Sequence, residues 1–252
     1  MSARRKTERS DPGRGMRLMW DLRIHARRGP KPSHDVVDVV SHAIELADKE
    51  GLTAVSMRRL AERLDVGTMS VYTYVPSKHE LFDLMVDRVM GETEVTYPRK
   101  AGWRAKLEAH ARAGWEIRLR HPWLQQMPRS RPLLGPNGLD RYEQSVAALA
   151  GVGLTGSEID LVVTLVSAYV EGAARYQPVA ASPETGVGDA EWWGSVNPVI
   201  EEVWDAERFP TLSGADMEGG WLRTGQRDAA AAFDFGLARV LDGVEAFTRG
   251  RT

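Results

Sequence analysis

Residues 55–82, VSMRRLAERLDVGTMSVYTYVPSKHELF, admit few folds, because they set two short apolar helical faces on either side of a break. Met57, Leu60, Ala61 and Leu64 recur at i, i+3, i+4 and i+7, so the first segment is a helix with one apolar side, while Arg58, Arg59 and Glu62 point elsewhere. Ser56 stands where an N-cap belongs. Asp65, Val66 and Gly67 interrupt the period, Thr68 is placed to cap a second helix, and Pro76 ends it, since helical geometry is disfavoured just before a proline. Val71 and Val75 then pack inward, leaving Thr68, Ser70, Thr73 and Tyr74 on the other side with Tyr72 at the margin. A face of hydroxyls and aromatics with no acidic residue suits hydrogen bonding to phosphates and base edges in a major groove. The plainer alternative is an αα-hairpin whose polar face meets water.

The wording of this stretch is more specific than its pattern. VSMRRLAERLDVGTMSVYTYVPSK, with the start of a following helix, resembles the DNA-binding segment of the tetracycline-repressor-like (TetR/AcrR) family of bacterial transcriptional regulators, and the likeness covers residues 33–92. It implies that Arg58 reads a base and that Ser70 sits on the base-facing side of the recognition helix, flanked by Thr68, Met69 and Thr73. Tyr72, Tyr74 and Lys78 match family positions that hold the phosphate backbone, and Ser56 joins the DNA-facing set. Asp65 stands where the family usually has glycine. Aspartate tolerates left-handed backbone, so the turn is expected to survive.

Charge divides the chain unevenly. The formal total is −2, yet residues 1–32 carry ten Lys and Arg against three acidic residues, a net of +7, so residues 33–252 total −9. Within residues 33–92 there are six basic and eleven acidic side chains, and the helical DNA-binding unit is not itself basic. The electrostatic attraction to DNA is therefore expected from residues 1–32, read as a weakly helical, mobile basic arm with one sticky patch around Leu18, Met19, Trp20, Leu22 and Ile24. Arg27, Arg28 and Lys31 lie nearest the fold, placed to reach phosphates or a minor groove. A solvated tail is the alternative.

The remainder reads as helices. Val36, Val37, Val40, Ile44 and Ala47 form a stripe capped by Ser33 and stopped by Gly51, and the helix after Pro76 carries Leu81, Phe82, Met85, Val86 and Val89 towards Gly91 as a mechanical link. Tyr97, Pro98 and Arg99 mark a junction, giving an arm (1–32), a three-helix helix-turn-helix domain with linking helix (33–92) and a larger helical domain (93–252) in an all-α protein. Further helices are expected at 103–120, 123–127, 139–150, 157–176 with Ser157 as cap, 197–207 and 227–248. GVGLTG at 151–156 matches GxGxxG but follows a helix, so it is a linker rather than a dinucleotide site. Absence of cysteine excludes disulfides and thiol chemistry, and no signal peptide or membrane-length apolar run is present, so a cytoplasmic protein is expected.

Phe233, Leu237, Val240, Val244 and Phe247 recur at alternating spacings of four and three, a seam suited to helix pairing. FDFGLARVLDGVEAF resembles the last helix of the tetracycline-repressor branch, in which two late helices of each subunit build a four-helix bundle across a two-fold axis. That likeness implies a homodimer interface of those five residues with Val162, Val166 and Tyr169. Trp115, Trp123, Met127, Tyr142, Tyr169, Trp192, Trp193 and Trp204 are candidates to line a ligand cavity. His110 lies one turn before Gly114, on the face that the likeness to the tetracycline-repressor branch implies for drug contact. No histidine follows His121, where true tetracycline repressors hold magnesium, so neither tetracycline nor any metal or cofactor is expected. The expected function is a homodimeric repressor released from a palindromic double-stranded DNA operator by an apolar or aromatic small molecule. An activator or uninducible regulator of the same family is one alternative, and a helical interaction scaffold that does not bind DNA is another. No HExxH, nucleophile elbow or phosphate loop occurs, so no enzyme is expected.

Overall fold

The computed structural model describes residues 12–25, 35–127, 132, 134–176, 186–214 and 228–251. Among them there is no β-strand, and no helix is long and apolar enough to cross a membrane. The fold is the all-α architecture that the sequence implied, a helix-turn-helix unit followed by a larger helical half.

Helix α2 (Val36–Glu50) starts at Asp35, not Ser33: the Asp35 carboxylate accepts from the Asp38 N–H while Asp38 accepts from Asp35, a reciprocal cap. It ends at Gly51, whose φ of 82° suits glycine alone without strain. Helix α3 (Met57–Arg63) is capped by the Ser56 hydroxyl, and Asp65 takes the left-handed conformation, φ 53°, as expected of the turn. Helix α4 (Thr68–Tyr74) has Gly67 as its N-cap, so Thr68 is its first helical residue and makes no side-chain cap. Helix α5 (Lys78–Met90) begins at Ser77, whose hydroxyl accepts from His79 and Glu80.

Residues 12–25 correct the mobile-arm reading. Pro12–His25 is a helix, α1, with Met16, Met19 and Trp20 at i, i+3 and i+4; Met19 is buried and Met16 and Leu18 pack on the core shared by α2–α5. Gly15 lies so near the Glu80 side chain that a Cβ there would meet Glu80 Cγ at 2.9 Å. The sequence hid this because the surface that receives α1 belongs to helices far along the chain, α5 and α7 (Pro136–Ala148).

Beyond the junction, helix α6 is Trp103–Arg120, as expected, and a 3₁₀ turn covers Pro122–Gln126. Helix α7 starts three residues before the expected 139, because Pro136 is well placed in a first helical turn. Helix α8 (Gly156–Ala174) is capped by Thr155 with Glu158, not by Ser157. Helix α9 (Asp189–Val203) begins earlier than the expected 197, with Asp189 and Glu191 in its first turn, where negative charge favours a helix start. Short helix α10 (Pro210–Ser213) and long helix α11 (Ala229–Thr248) complete the described elements.

Two cores result. One gathers α1–α5 and takes Ile117, Trp123 and Leu124 from the second half; the other joins Leu107 and Ala111 of α6 to Val162, Val166 and Val170 of α8 and Phe233, Leu237, Leu241 and Val244 of α11. Helix α6 contributes to both, so it spans the boundary between the two halves.

Candidate nucleic-acid interface and ligand site

The recognition surface is built by burying one side of α4. Val71 and Val75 are fully enclosed, and this fixes Met69 at 77% exposed, with Thr68, Tyr72 and Thr73 also on the surface and Ser70 half-exposed. Tyr74 is half-buried and packs on the core, so Tyr72, read as marginal, is the freer phenol. The Thr73 hydroxyl donates to the Ser70 carbonyl at 2.6 Å, leaving its lone pairs as acceptors. Arg58 projects from the second position of α3 with its side chain 80% exposed and a loose pair to Glu62 at 3.3 Å, which costs little to exchange for a base or phosphate. Arg59 and Arg63, by contrast, are tied to Glu50 and Glu45 of α2 at 2.8 and 3.0 Å. Lys78 opens α5, exposed, with Nζ 5.1 Å above the Phe82 ring. Arg27, Arg28 and Lys31 lie outside the described residues.

Two polar joints connect this surface to the second half. At the first, Asp87 of α5, buried, accepts from the Gly138 N–H at 2.9 Å and from Asn137 Nδ2 at 3.0 Å, so a carboxylate from another helix caps the start of α7. A Cβ at Gly135 would collide with that carboxylate, and one at Gly91 with Asn137. At the second, His121, 3% exposed, sets Nδ1 2.8 Å from Asp48 Oδ1 of α2 and Nε2 2.9 Å from Glu92 Oε2, and Trp123 donates its indole N–H to the same Asp48 oxygen.

Among the described residues, the proposed pocket residues fall in several places. Trp123 belongs to the N-terminal core and the second joint. Met127 lines a cleft of about 80 Å³ with Arg118, Leu124, Gln125, Glu171 and Arg175. Tyr142 is exposed and donates to Asp160, while Trp192 and Trp193 pack edge to face on α9, which has no buried residue. Trp204 leans on Phe209 and donates to Ser213. Only His110, Trp115 and Tyr169 stand on the inner helices: Trp115 stacks on Phe233 with centroids 4.4 Å apart, and Tyr169 donates to the Phe233 carbonyl at 2.8 Å. His110 is 5% exposed and neither ring nitrogen has a partner; burial first, then the nearby Arg141 charge, pulls its pKa down to about 4. Arg141 escaped the sequence reading. Nothing about a lone arginine on a polar-looking helix distinguishes it.

The assumed dimer seam also needs correction. Val162, Val166, Phe233, Leu237 and Val244 are buried within the chain, and Tyr169 and Val240 are half-buried, so of the seam only Phe247 is exposed. The spacing was right for helix pairing, but the partners are α6, α8 and α11 of the same chain. The unpartnered apolar side of these helices instead presents Leu161 (66% exposed), Leu165 (50%), Phe235 (67%) and Phe247 (43%).

A buried-face recognition helix joined by polar caps to a larger helical body defines a helix-turn-helix DNA-binding transcriptional regulator. The model of bacterial regulatory proteins of the tetR family matches residues 39–85, and that of the tetracyclin repressor-like C-terminal domain matches residues 97–248. The chain belongs to the TetR family. It is 41% identical to the HTH-type transcriptional repressor DrrR1 of Streptomyces coeruleorubidus across 96% of this chain and 88% of that protein. An HTH-type transcriptional regulator of Saccharopolyspora erythraea is 34% identical across 71% of this chain and 75% of that one. Among solved structures, the TetR family protein ActR of Streptomyces coelicolor in complex with actinorhodin shares 28% identity, covers 88% of this chain and all of its own, and superposes with a TM-score of 0.69. The ActR complex with (S)-DNPA superposes equally, with a TM-score of 0.69 at 27% identity.

Proposed function

We propose that this regulator is a cytoplasmic, homodimeric repressor that a small apolar or aromatic molecule displaces from a palindromic operator. The observation that carries the reading is α4, whose inner valines are enclosed while Thr68, Met69, Tyr72 and Thr73 stand free without an acidic neighbour on that face. Arg58 and Ser70 then discriminate bases, Tyr72, Tyr74 and Lys78 position the protein on phosphates, and Ser56 joins the DNA-facing set. Residues 33–92 act as the DNA-binding unit and 93–252 as the ligand-binding and dimerisation unit, a division supported by the two matched segments. Arg27, Arg28 and Lys31, outside the described residues, are proposed to reach phosphates or a minor groove.

Dimerisation is supported by the apolar side of α8 and α11 that the chain leaves open. A two-fold dimer must hold its recognition helices about 34 to 36 Å apart to meet successive major grooves. A ligand that prefers another separation weakens DNA binding, and by linkage DNA weakens the ligand by the same factor. That ActR is found in complex with actinorhodin and with (S)-DNPA supports a small-molecule ligand for this chain. Fluorescence anisotropy with the DNA flanking the protein's own coding region is expected to show salt-sensitive binding to one two-fold-symmetric site. Failure to prefer any segment of that DNA over random sequence would remove the proposal.

A further inference from the structure

Polar atoms buried without partners are costly, and a buried charge without a counter-charge more so. Where α6 crosses α7, several such atoms meet. Both ring nitrogens of His110 are shut from solvent with nothing to bond. Arg141 of α7 gives Nη2 to the His110 carbonyl at 3.3 Å, a long bond, and its Nη1 is buried with no partner. Among the described residues no carboxylate pairs with this guanidinium, and burial alone holds its pKa below the usual arginine value. Gly114, one turn after His110, faces the same crossing: a Cβ there would be in ordinary contact with Arg141 Nη2 and with Val170 Cγ1 of α8, each at 3.6 Å. The neighbouring Arg118 is already engaged, donating to the Gly114 carbonyl at 2.8 Å and pairing with Glu171 at 3.1 Å. Among the described residues the Arg141 guanidinium is therefore left without a counter-charge, beside an imidazole that burial keeps neutral at physiological pH and able to donate from one nitrogen and accept at the other.

We propose that the small molecule of this regulator is a monoanion whose carboxylate pairs with Arg141 Nη1 and takes a second hydrogen bond from His110. The inference rests on the ligand-responsive reading above. A planar guanidinium fork matches a carboxylate in shape and charge, and a desolvated pair of this kind favours an acid over its neutral isostere. A dianion such as a phosphate monoester would bring more charge than the site balances.

The test uses the full chain and matched probes: 2-naphthoate, 9-anthracenecarboxylate and anthraquinone-2-carboxylate, each beside its carboxamide, by thermal shift and calorimetry. At least one acid is expected to bind about tenfold or more tighter than its amide, as hydrogen bonds to charged groups commonly give. In Arg141→Met that ratio should fall to about one. Without any probe, Arg141→Met should melt no lower than the parent, because it removes an unpaired buried charge. No acid binding, amides binding as well as acids, or a preference that survives Arg141→Met would each overturn the inference. The acid–amide ratio of the parent protein decides on its own if the variant fails to fold. Operator release is measured separately. An acid that binds through Arg141 yet leaves DNA affinity unchanged supports this site and sinks the release mechanism, whereas amides that release DNA as well as the acids do sink the site alone.

Discussion

Trp123 donates its indole N–H to Asp48 Oδ1 at 2.7 Å, and the same oxygen lies 2.8 Å from His121 Nδ1. One carboxylate of α2 thus holds both the end of α6 and the turn that follows it. Asp48→Ala leaves a buried indole N–H and an imidazole nitrogen without their acceptor, and is expected to lower unfolding stability by about 1 to 3 kcal/mol. If this joint carries ligand information to the DNA-binding unit, the ratio of ligand affinities with and without operator should also move towards one. Chemical denaturation and paired titrations measure the two effects, and an unchanged ratio would show that the signal travels elsewhere.

On the DNA side, Lys78→Ala should weaken all sequences alike and reduce the slope of log K against log salt by about 0.9 for the lost phosphate. Arg58→Ala should cost about 1 to 3 kcal/mol on the preferred operator and relax selectivity at one base pair in each half-site. A panel of single-base operator variants separates the two roles. A changed base preference in Lys78→Ala would reverse the assignment.

The exposed apolar side of α8 and α11 is expected to be the subunit contact. Leu165→Glu combined with Phe235→Glu places charges there without disturbing Val166 or Leu237, which face the chain's own core. Sedimentation equilibrium should show the double variant as a folded monomer with weakened operator binding. A variant that remains a dimer would locate the interface on another surface.

His110 makes stability depend on pH. Its pKa falls from 6.5 to about 4 on folding, so the unfolded chain binds the extra proton between those values and protonation favours unfolding. The stability associated with the neutral ring is fully present above pH 6.5 and declines as pH falls towards 4. Thermal melts across that window should show a steeper loss for the parent than for His110→Phe, and parallel curves would contradict the burial of a neutral imidazole.

What could be read before folding depended on whether the cause was local. The period of Met57, Leu60 and Leu64, the Ser56 cap and the left-handed Asp65 are decided within a few residues, and all three are present. Helix α1 and the Arg141 site depend on surfaces brought together from distant segments, and neither leaves a periodic trace. The Phe233–Leu237–Val244 seam shows a third case: spacing identifies an apolar face but not which chain covers it, and here the same chain does. Caps fall one or two residues from Ser33, Thr68 and Ser157: Asp35 and Thr155 stand beside the first and last and take their place, while at Thr68 the backbone puts Gly67 at the N-cap with no side-chain bond.

The cap that Asp87 supplies to α7 limits how freely such regulators can be recombined. A chimaera that joins residues 1–92 to a foreign second half brings along a carboxylate 4% exposed but leaves behind the Asn137 and Gly138 donors, together with the side-chain-free position at Gly135 that makes room for it. Grafts should therefore tolerate the seam only when the incoming half supplies a glycine and a paired amide at the equivalent turn. The exchangeable part in this protein is accordingly larger than the DNA-reading helices, and its natural cut lies after the first turn of α7.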